Sequence, residues 1–191
     1  MLLVLIMHTK HRLKILPFLL ALCFLVGCSS ARRVSLADKS VSDFDLSNKI
    51  DYALFKENIE ILGDVCYAIF EGRVLLACSV KTEKEKQIAE KVVCDIKSVA
   101  KVYNHIIVGR SYSSTVDYVN DSYISKRLGW SLLVMGDIMR DDYTYEVYRG
   151  IVYILGKAPN EQIRQKVINA ARSITGVEKV VSYITLDSPN Y

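Results

Sequence analysis

The architecture of this chain can be inferred from one stretch of sequence, GIVYILG, which covers Gly150–Gly156. Its interior consists of β-branched, aromatic and leucine side chains, a composition that favours a β-strand. Gly150 follows Arg149, and a glycine at this point accepts the positive φ that a two-residue hairpin turn requires. Together with the preceding run, Tyr143–Tyr148, the stretch therefore predicts a β-hairpin.

This hairpin belongs to a segment that occurs twice. Leu46–Val108 aligns with Ile124–Leu186 without a gap, and about a dozen positions are identical. The period is too long for one unit of a solenoid. The two copies are therefore predicted to be two small domains in tandem.

Each copy begins with a helix that leads into the hairpin. Leu46, Ile50 and Leu54 share one helical face, and Ile124, Leu128 and Leu132 repeat that stripe in the second copy. The predicted hairpin strands are Val65–Phe70 with Arg73–Val80, and Tyr143–Tyr148 with Ile151–Lys157.

A second helix and a last strand complete each copy. Thr82 and Glu85 have the spacing of a capping box, and Pro159 suits the first turn of the corresponding helix in copy two. The last strands are predicted at Lys101–Val108 and Lys179–Leu186. The fold class is thus α+β, with the order helix, strand, strand, helix, strand. A three-stranded mixed sheet is covered on one face by two helices, and its crossover is right-handed.

The N-terminal region, residues 1–27, is typical of a lipoprotein signal peptide. A basic stretch precedes the apolar run Ile15–Val26, which is shorter than the roughly 20 residues that a membrane-spanning helix needs. The sequence Leu25-Val26-Gly27-Cys28 resembles a lipobox, at which Cys28 becomes the acylated first residue. An uncleaved signal anchor is the alternative interpretation, and Met7 is an alternative start.

The residue after Cys28 is Ser29 rather than an aspartate. By resemblance to lipoprotein sorting rules, this predicts a lipid-anchored protein on the periplasmic face of the outer membrane. The leader carries three basic side chains and no acidic one, so the remaining chain is nearly neutral. This near-balance removes the general electrostatic argument for binding nucleic acid.

Both copies contain motifs that resemble a known family. The turn glycine, alternating strand and second glycine of Gly150–Gly156, followed by Gly176-Val177-Glu178-Lys179-Val180, resemble the pattern of dual BON-domain (bacterial OsmY and nodulation) lipoproteins. The resemblance implies a non-enzymatic protein without cofactors that binds phospholipid and supports envelope integrity. Copy one departs from the pattern, because Cys78 and Ser98 replace the glycines found at Gly156 and Gly176.

The resulting domain organisation has six parts. They are the leader at residues 1–27, a lipidated tether at 28–43, a first BON domain at 44–109, a linker at 110–120, a second BON domain at 121–187 and a tail at 188–191.

The first helix of copy two carries a candidate lipid-binding site. Aromatic and cationic side chains alternate there at helical spacing: Tyr123, Lys126, Arg127, Trp130 and Val134. Tyrosine and tryptophan favour the headgroup level of a bilayer, and lysine and arginine are attracted to anionic lipid. The corresponding helix of copy one has a mostly polar face. The alternative is that Tyr123 and Trp130 pack against copy one or the linker.

The second hairpin is rich in tyrosine, at Tyr143, Tyr145, Tyr148 and Tyr153. Both helices cover one sheet face, so the other face is either exposed or docked. These tyrosines are expected to pack the two copies together, and contact with a partner is the alternative. The second functional hypothesis is an adaptor that docks on envelope assembly proteins, either through this tyrosine-rich sheet or through the helical stripe that contains Trp130.

The residue types that usually carry catalysis give no indication of an enzyme in this sequence. His105 is the only histidine after the leader, and neither a metal-ligand spacing nor a catalytic arrangement is evident. A two-residue turn at Glu71-Gly72 places Cys66 opposite Ala77, with Cys78 pointing to the other sheet face. Cys66, Cys78 and Cys94 are therefore predicted to be free or buried thiols.

Overall fold

A computed structural model describes residues 30–57, 65–109 and 115–187 of the chain. The predicted leader, the lipidation site Cys28 and the tail at residues 188–191 lie outside the described residues. The chain divides into two units, residues 1–41 and 42–191. Of the first unit, residues 30–41 are described and are helical, whereas the second unit contains both copies.

Two helices and four strands are found in the described residues of the first copy. Helix α1 spans Ser30–Glu57 and thus begins within the predicted tether. The remaining elements are β1 (Val65–Phe70), β2 (Arg73–Val80), α2 (Glu83–Cys94), β3 (Lys101–Asn104) and β4 (Ile107–Val108).

The second copy has the same order of helices and hairpin strands but a continuous last strand, and its first helix begins within the predicted linker. Helix α3 spans Thr115–Val134, and a short 3-10 turn at Arg140–Asp142 precedes the hairpin. The other elements are β5 (Tyr143–Tyr148), β6 (Ile151–Ala158), α4 (Glu161–Arg172) and β7 (Lys179–Leu186).

Both sheets have the predicted mixed topology. The hairpin strands pair antiparallel, with Phe70 opposite Arg73 and Tyr148 opposite Ile151. The central strand then pairs in parallel with the strand that follows the second helix. The α+β fold class with two tandem helix–strand domains is therefore confirmed.

The two hairpin turns are stabilised in the same way. Arg149 and Gly150 both have positive φ, at 52° and 73°, as a type I′ turn requires. The carboxylate of Asp121 on α3 accepts hydrogen bonds from the backbone N–H of both residues, at 2.6 and 2.8 Å. Asp43 on α1 binds the first turn in the same manner. Each first helix is thereby fixed to the hairpin that it covers.

The second helices differ in their N-caps. Thr82 and Glu85 form the predicted capping box. In copy two the helix begins at Glu161, because Asn160 accepts a hydrogen bond from the Ile163 N–H and acts as N-cap. Pro159 therefore lies before the cap rather than in the first helical turn.

The last strand of copy one is interrupted, although a continuous strand was expected. The side-chain oxygen of Asn104 accepts a hydrogen bond from the Ile106 N–H at 3.0 Å. This local bond competes with the strand ladder and separates β3 from β4.

The prediction of free thiols is wrong for Cys66 and Cys78, which form a disulfide. The strand register is as expected, with Cys66 opposite Ala77. Cys78, however, has a φ of 68°, so its side chain departs from the regular alternation of the strand. The two Cα atoms are 5.4 Å apart, within the usual range for a disulfide. Cys94 is free and exposed.

The two sheets pack against each other through the faces that the helices leave uncovered. Phe70, Leu75 and Ala77 of the first sheet are buried with Tyr148, Tyr153 and Leu155 of the second. Arg73 reaches across this layer and donates to the backbone carbonyls of Gly156 and Tyr183, both at 2.9 Å. The two domains thus share a third apolar layer besides their own cores.

Candidate functional site

The five predicted lipid-binding residues all lie on the exposed side of α3. Trp130 is 61% exposed, Tyr123 49% and Val134 61%, and both Lys126 and Arg127 are exposed as well. We call Tyr123, Lys126, Arg127, Trp130 and Val134 the aromatic face of α3. Neither Tyr123 nor Trp130 belongs to the buried cluster between the two sheets.

The opposite side of α3 explains why this face points outward. Ile124, Leu128 and Leu132 are almost completely buried in the core of the second domain. A helix that is apolar on one side and polar on the other is the norm at a protein surface. Helix α3 carries large apolar side chains on its outer side as well. These outer side chains do not belong to the core of the domain.

Helix α3 is also fixed against the sheet by a tyrosine. The Tyr145 hydroxyl donates to the backbone carbonyl of Ser125 at 3.0 Å. Gly129 makes room for this contact, since a β-carbon at that position would lie 2.7 Å from the Tyr145 oxygen. Together with the Asp121 contact to the hairpin turn, this bond sets the orientation in which the aromatic face is presented.

The exposed apolar stripe is longer than the sequence predicts. Val116 and Val119 are 64% and 57% exposed and continue the stripe of Tyr123, Trp130 and Val134 at helical spacing. Leu133, 56% exposed, widens it. Val116 and Val119 were missed because the region 110–120 was interpreted as a linker, although their spacing from Tyr123 was already visible in the sequence.

The cations of the aromatic face are available for binding. Lys126 and Arg127 have no hydrogen-bond or ion-pair partner among the described residues. In the first domain, by contrast, the Lys49 ammonium is paired with Asp45 at 2.5 Å on the same helix. The second domain thus combines exposed aromatic rings with unpaired positive charge, as an anionic bilayer surface would require.

The first domain has an exposed apolar set of its own. Phe44, Tyr52 and Phe55 on α1 are 70%, 67% and 53% exposed. Tyr52 and Phe55 align with Trp130 and Leu133 in the repeat and are about equally exposed, whereas the other exposed positions of this face are polar, at Asp45, Asn48, Lys49 and Lys56. The two helices differ in both respects, because Tyr123 and Val134 of α3 correspond to Asp45 and Lys56 of α1.

The tyrosines of the second hairpin divide between two environments. Tyr148 and Tyr153 are buried between the two sheets, and the Tyr148 hydroxyl is 2.7 Å from that of Ser79. These two pack the copies together, as expected. Tyr143 and Tyr145 instead face the helices and belong to the core of the second domain. The sheet face proposed as a docking surface is thus largely covered by the other domain.

His105 lies in the same interdomain region. Its Nε2 is 2.6 Å from the Tyr183 hydroxyl, and the Tyr183 ring stacks on that of Tyr103 at 3.8 Å between ring centres. Burial, and secondarily the positive charges of Lys179 and Lys86, lower the pKa of His105. This neutral histidine therefore has a structural role in joining the two domains, for which the sequence offered no signal.

No metal or membrane-spanning element is found in the part of the chain that the structure describes. Groups of three or more histidine, cysteine or acidic residues suitable for a metal are absent from residues 30–57, 65–109 and 115–187. Within the same ranges, no helix is both long and apolar enough to cross a bilayer. Asp141 and Asp142 lie in the 3-10 turn that precedes β5.

The chain is similar in sequence to curated proteins. The chain is 27% identical over 187 residues to the outer membrane lipoprotein DolP of Haemophilus influenzae, a match that covers 91% of this chain and 96% of that protein. It is also 27% identical over 146 residues to an uncharacterized protein in the gshII 5' region of Anaplasma centrale, which covers 76% of this chain and 95% of the relative.

Among solved structures, the C-terminal domain of CdsD, a structural protein of the type III secretion system of Chlamydia trachomatis, is similar with a TM-score of 0.32. It is 15% identical, and the match covers 75% of this chain and 98% of that one.

The family itself is identified from two regions. Residues 62–110 and 120–188 each match the BON domain, and each contains one complete hairpin, second helix and last strand. The two regions together cover more than half of the sequence, and the chain therefore belongs to the BON domain family.

Proposed function

We propose that this protein is a non-enzymatic lipoprotein of the bacterial outer membrane that binds anionic phospholipid through its second BON domain and supports envelope integrity. The observation that carries the proposal is the aromatic face of α3, where Tyr123 and Trp130 are exposed next to the unpaired cations Lys126 and Arg127. The likeness to DolP over 91% of the chain supports the localisation. Acylation of Cys28 on the periplasmic side provides the anchor.

The physical argument rests on two additive contributions. Aromatic side chains bury apolar area in the headgroup region while their polar tips stay hydrated. Each lysine or arginine near an anionic surface contributes about 1 kcal/mol of attraction. With a lipid already attached at Cys28, the aromatic face is a second membrane signal, and it adds selectivity for an anionic region of the membrane.

A flotation assay tests this function. The mature chain, residues 28–191 with Cys28→Ser to prevent acylation, is mixed with vesicles of phosphatidylglycerol or of phosphatidylcholine. We expect it to float with the anionic vesicles only. Replacing both Tyr123 and Trp130 by alanine should reduce the floating fraction about tenfold or more, since two interfacial anchors are lost.

The repeat offers a matched control for this experiment. Tyr52→Ala with Phe55→Ala removes an equally exposed apolar pair from α1 of the first domain. This control should float like the parent chain. If the α3 variant floats normally, or if the α1 variant is the one that loses binding, the assignment to the aromatic face of α3 is wrong.

An adaptor that docks on envelope assembly proteins is the second candidate function. The observation that favours it is the exposed set Phe44, Tyr52 and Phe55, which phospholipid binding through α3 does not use. Under this alternative the purified chain ignores vesicles of either composition, and the α1 pair is required for binding a protein partner.

A further inference from the structure

A cleft of about 340 Å³ lies between α3 and the strands β1 and β5. Its volume falls within the range of small-molecule sites. Its polar lining consists of Cys66 from the first domain and Tyr118, Asp121, Ser122, Ser125, Lys126 and Glu146 from the second. The Asp121 carboxylate already accepts hydrogen bonds from the hairpin turn. Ser122 and Ser125 lie on a different side of α3 from Tyr123 and Trp130, so the cleft is separate from the aromatic face apart from Lys126.

Glu146 is the unusual residue of this cleft. It occupies the strand position that Ala68 holds in copy one, where a small apolar side chain satisfies the packing. No described residue forms a hydrogen bond or ion pair with its carboxyl group. Burial alone raises the pKa of Glu146 to about 7, without an offsetting contribution from a nearby cation. A half-buried carboxylate without a cation is costly for the fold, so a bound cation would stabilise it.

The rim of the cleft carries the opposite charge. Lys126 is exposed and unpaired in the described part of the chain. Ser122 and Ser125 lie one helical turn or less from it along the same wall. Hydroxyl and ammonium donors in one row suit the oxygens of a phosphate group.

We propose that this cleft binds a small zwitterion, a primary ammonium joined through a short linker to a phosphate, with the ammonium on Glu146 and the phosphate at Lys126. The site goes beyond the proposed function, because it recognises a cationic group and lies on another side of α3. The same chemistry occurs in a phosphoethanolamine lipid headgroup and in its free soluble form.

Amide NMR titration of the mature Cys28→Ser chain with glycerophosphoethanolamine tests the proposal. We expect saturating shifts at Ser122, Ser125 and Glu146, with a dissociation constant in the millimolar range or below. Glycerophosphate, which lacks the ammonium, should give much weaker binding. Glu146→Gln should weaken glycerophosphoethanolamine binding at least about tenfold, because a charged hydrogen bond is lost. Equal binding of glycerophosphate, or an unaffected Glu146→Gln variant, would overturn the site.

The pH dependence provides a test without substitution. The titratable groups facing Glu146 across the cleft are Tyr118, Asp121 and Lys126, while Cys66 is held in its disulfide. Because the ammonium needs the ionised carboxyl, affinity in the parent chain should rise between pH 6 and pH 8 around the pKa of about 7. A constant or falling affinity contradicts the proposal.

A competition arm identifies the source of the ligand. Phosphatidylethanolamine vesicles that displace the soluble ligand indicate a lipid headgroup, and vesicles that do not displace it indicate the free compound. Flotation on pure phosphatidylglycerol involves no ammonium group. It therefore does not test the carboxyl end of the cleft, and since Glu146→Gln leaves Tyr123 and Trp130 in place, the two hypotheses can fail separately.

Discussion

Replacing Cys66 and Cys78 together by alanine is expected to lower the free energy of unfolding by about 3 kcal/mol. The disulfide closes a loop with a sequence separation of 12 residues and joins the two strands of the first hairpin. Its loss increases the conformational freedom of the unfolded chain, and the alanine at position 78 must still adopt a left-handed conformation that only glycine favours. Urea unfolding, monitored separately with and without reductant, measures the effect.

The chain contains its own control for this experiment. Cys94→Ala removes an exposed cysteine that takes no part in a disulfide. It should leave the unfolding midpoint unchanged, and reductant should destabilise this variant as much as the parent. If reductant has no effect on the parent chain, Cys66 and Cys78 are not bonded in solution.

The second large effect concerns the pH dependence of stability. Glu146 has a pKa of about 7 in the folded chain, whereas a glutamate in the unfolded chain has the ordinary pKa of 4.5. Because folding raises this pKa, ionisation of Glu146 favours the unfolded chain. The free energy of unfolding is therefore fully present below pH 4.5 and falls as the pH rises through 7. Allowing for its partial exposure, the loss amounts to about 2 kcal/mol.

Glu146→Gln should remove this decline. The variant is neutral at every pH, so its stability at pH 8 is expected to exceed that of the parent chain by about 2 kcal/mol, with little difference at pH 4.5. Thermal or urea unfolding at several pH values measures both curves. Glu161→Gln, on the exposed side of α4, should leave the decline in place. Parallel curves for the parent and the Glu146 variant contradict a buried carboxyl at this position.

The regular part of the fold follows from local sequence signals. Strand alternation and the two turn glycines predict both hairpins within one residue, and Thr82 with Glu85 marks the start of α2 correctly. These features depend on contacts between residues close in sequence. Because the two copies share one pattern, a helix or strand that is predicted in one copy can be transferred to the other.

Features that depend on a single side chain or on the other domain were missed. The positive φ at Cys78, which permits the disulfide, contradicts the alternation from which the free thiols were predicted. Tyr145 was assigned to the interdomain layer, but a hydroxyl contact to Ser125 holds it on the helix side. The role of His105 depends on Tyr183, a residue of the other copy, and no local pattern in the sequence connects the two.

The candidate site was predictable in its composition and less so in its extent. Helical spacing alone identified Tyr123, Arg127 and Trp130 as one face of a helix. Whether this helix face is exposed depends on which surfaces the two domains use to pack against each other. The sequence pattern does not show this, because an apolar surface covered by another domain and an open one look the same in the sequence. The packing of the sheets through Tyr148 and Tyr153 leaves α3 on the outside.

The fluorescence of Trp130 tests the central claim most directly, because it is the only tryptophan of the chain. Its indole is 61% exposed and should emit at the long wavelengths of a hydrated ring. On addition of phosphatidylglycerol vesicles to the mature Cys28→Ser chain, we predict a shift of the emission maximum to shorter wavelength. We also predict quenching by lipids brominated near the headgroup, and no change with phosphatidylcholine. An emission maximum that stays constant while the chain floats with anionic vesicles would show that the aromatic face of α3 does not enter the membrane.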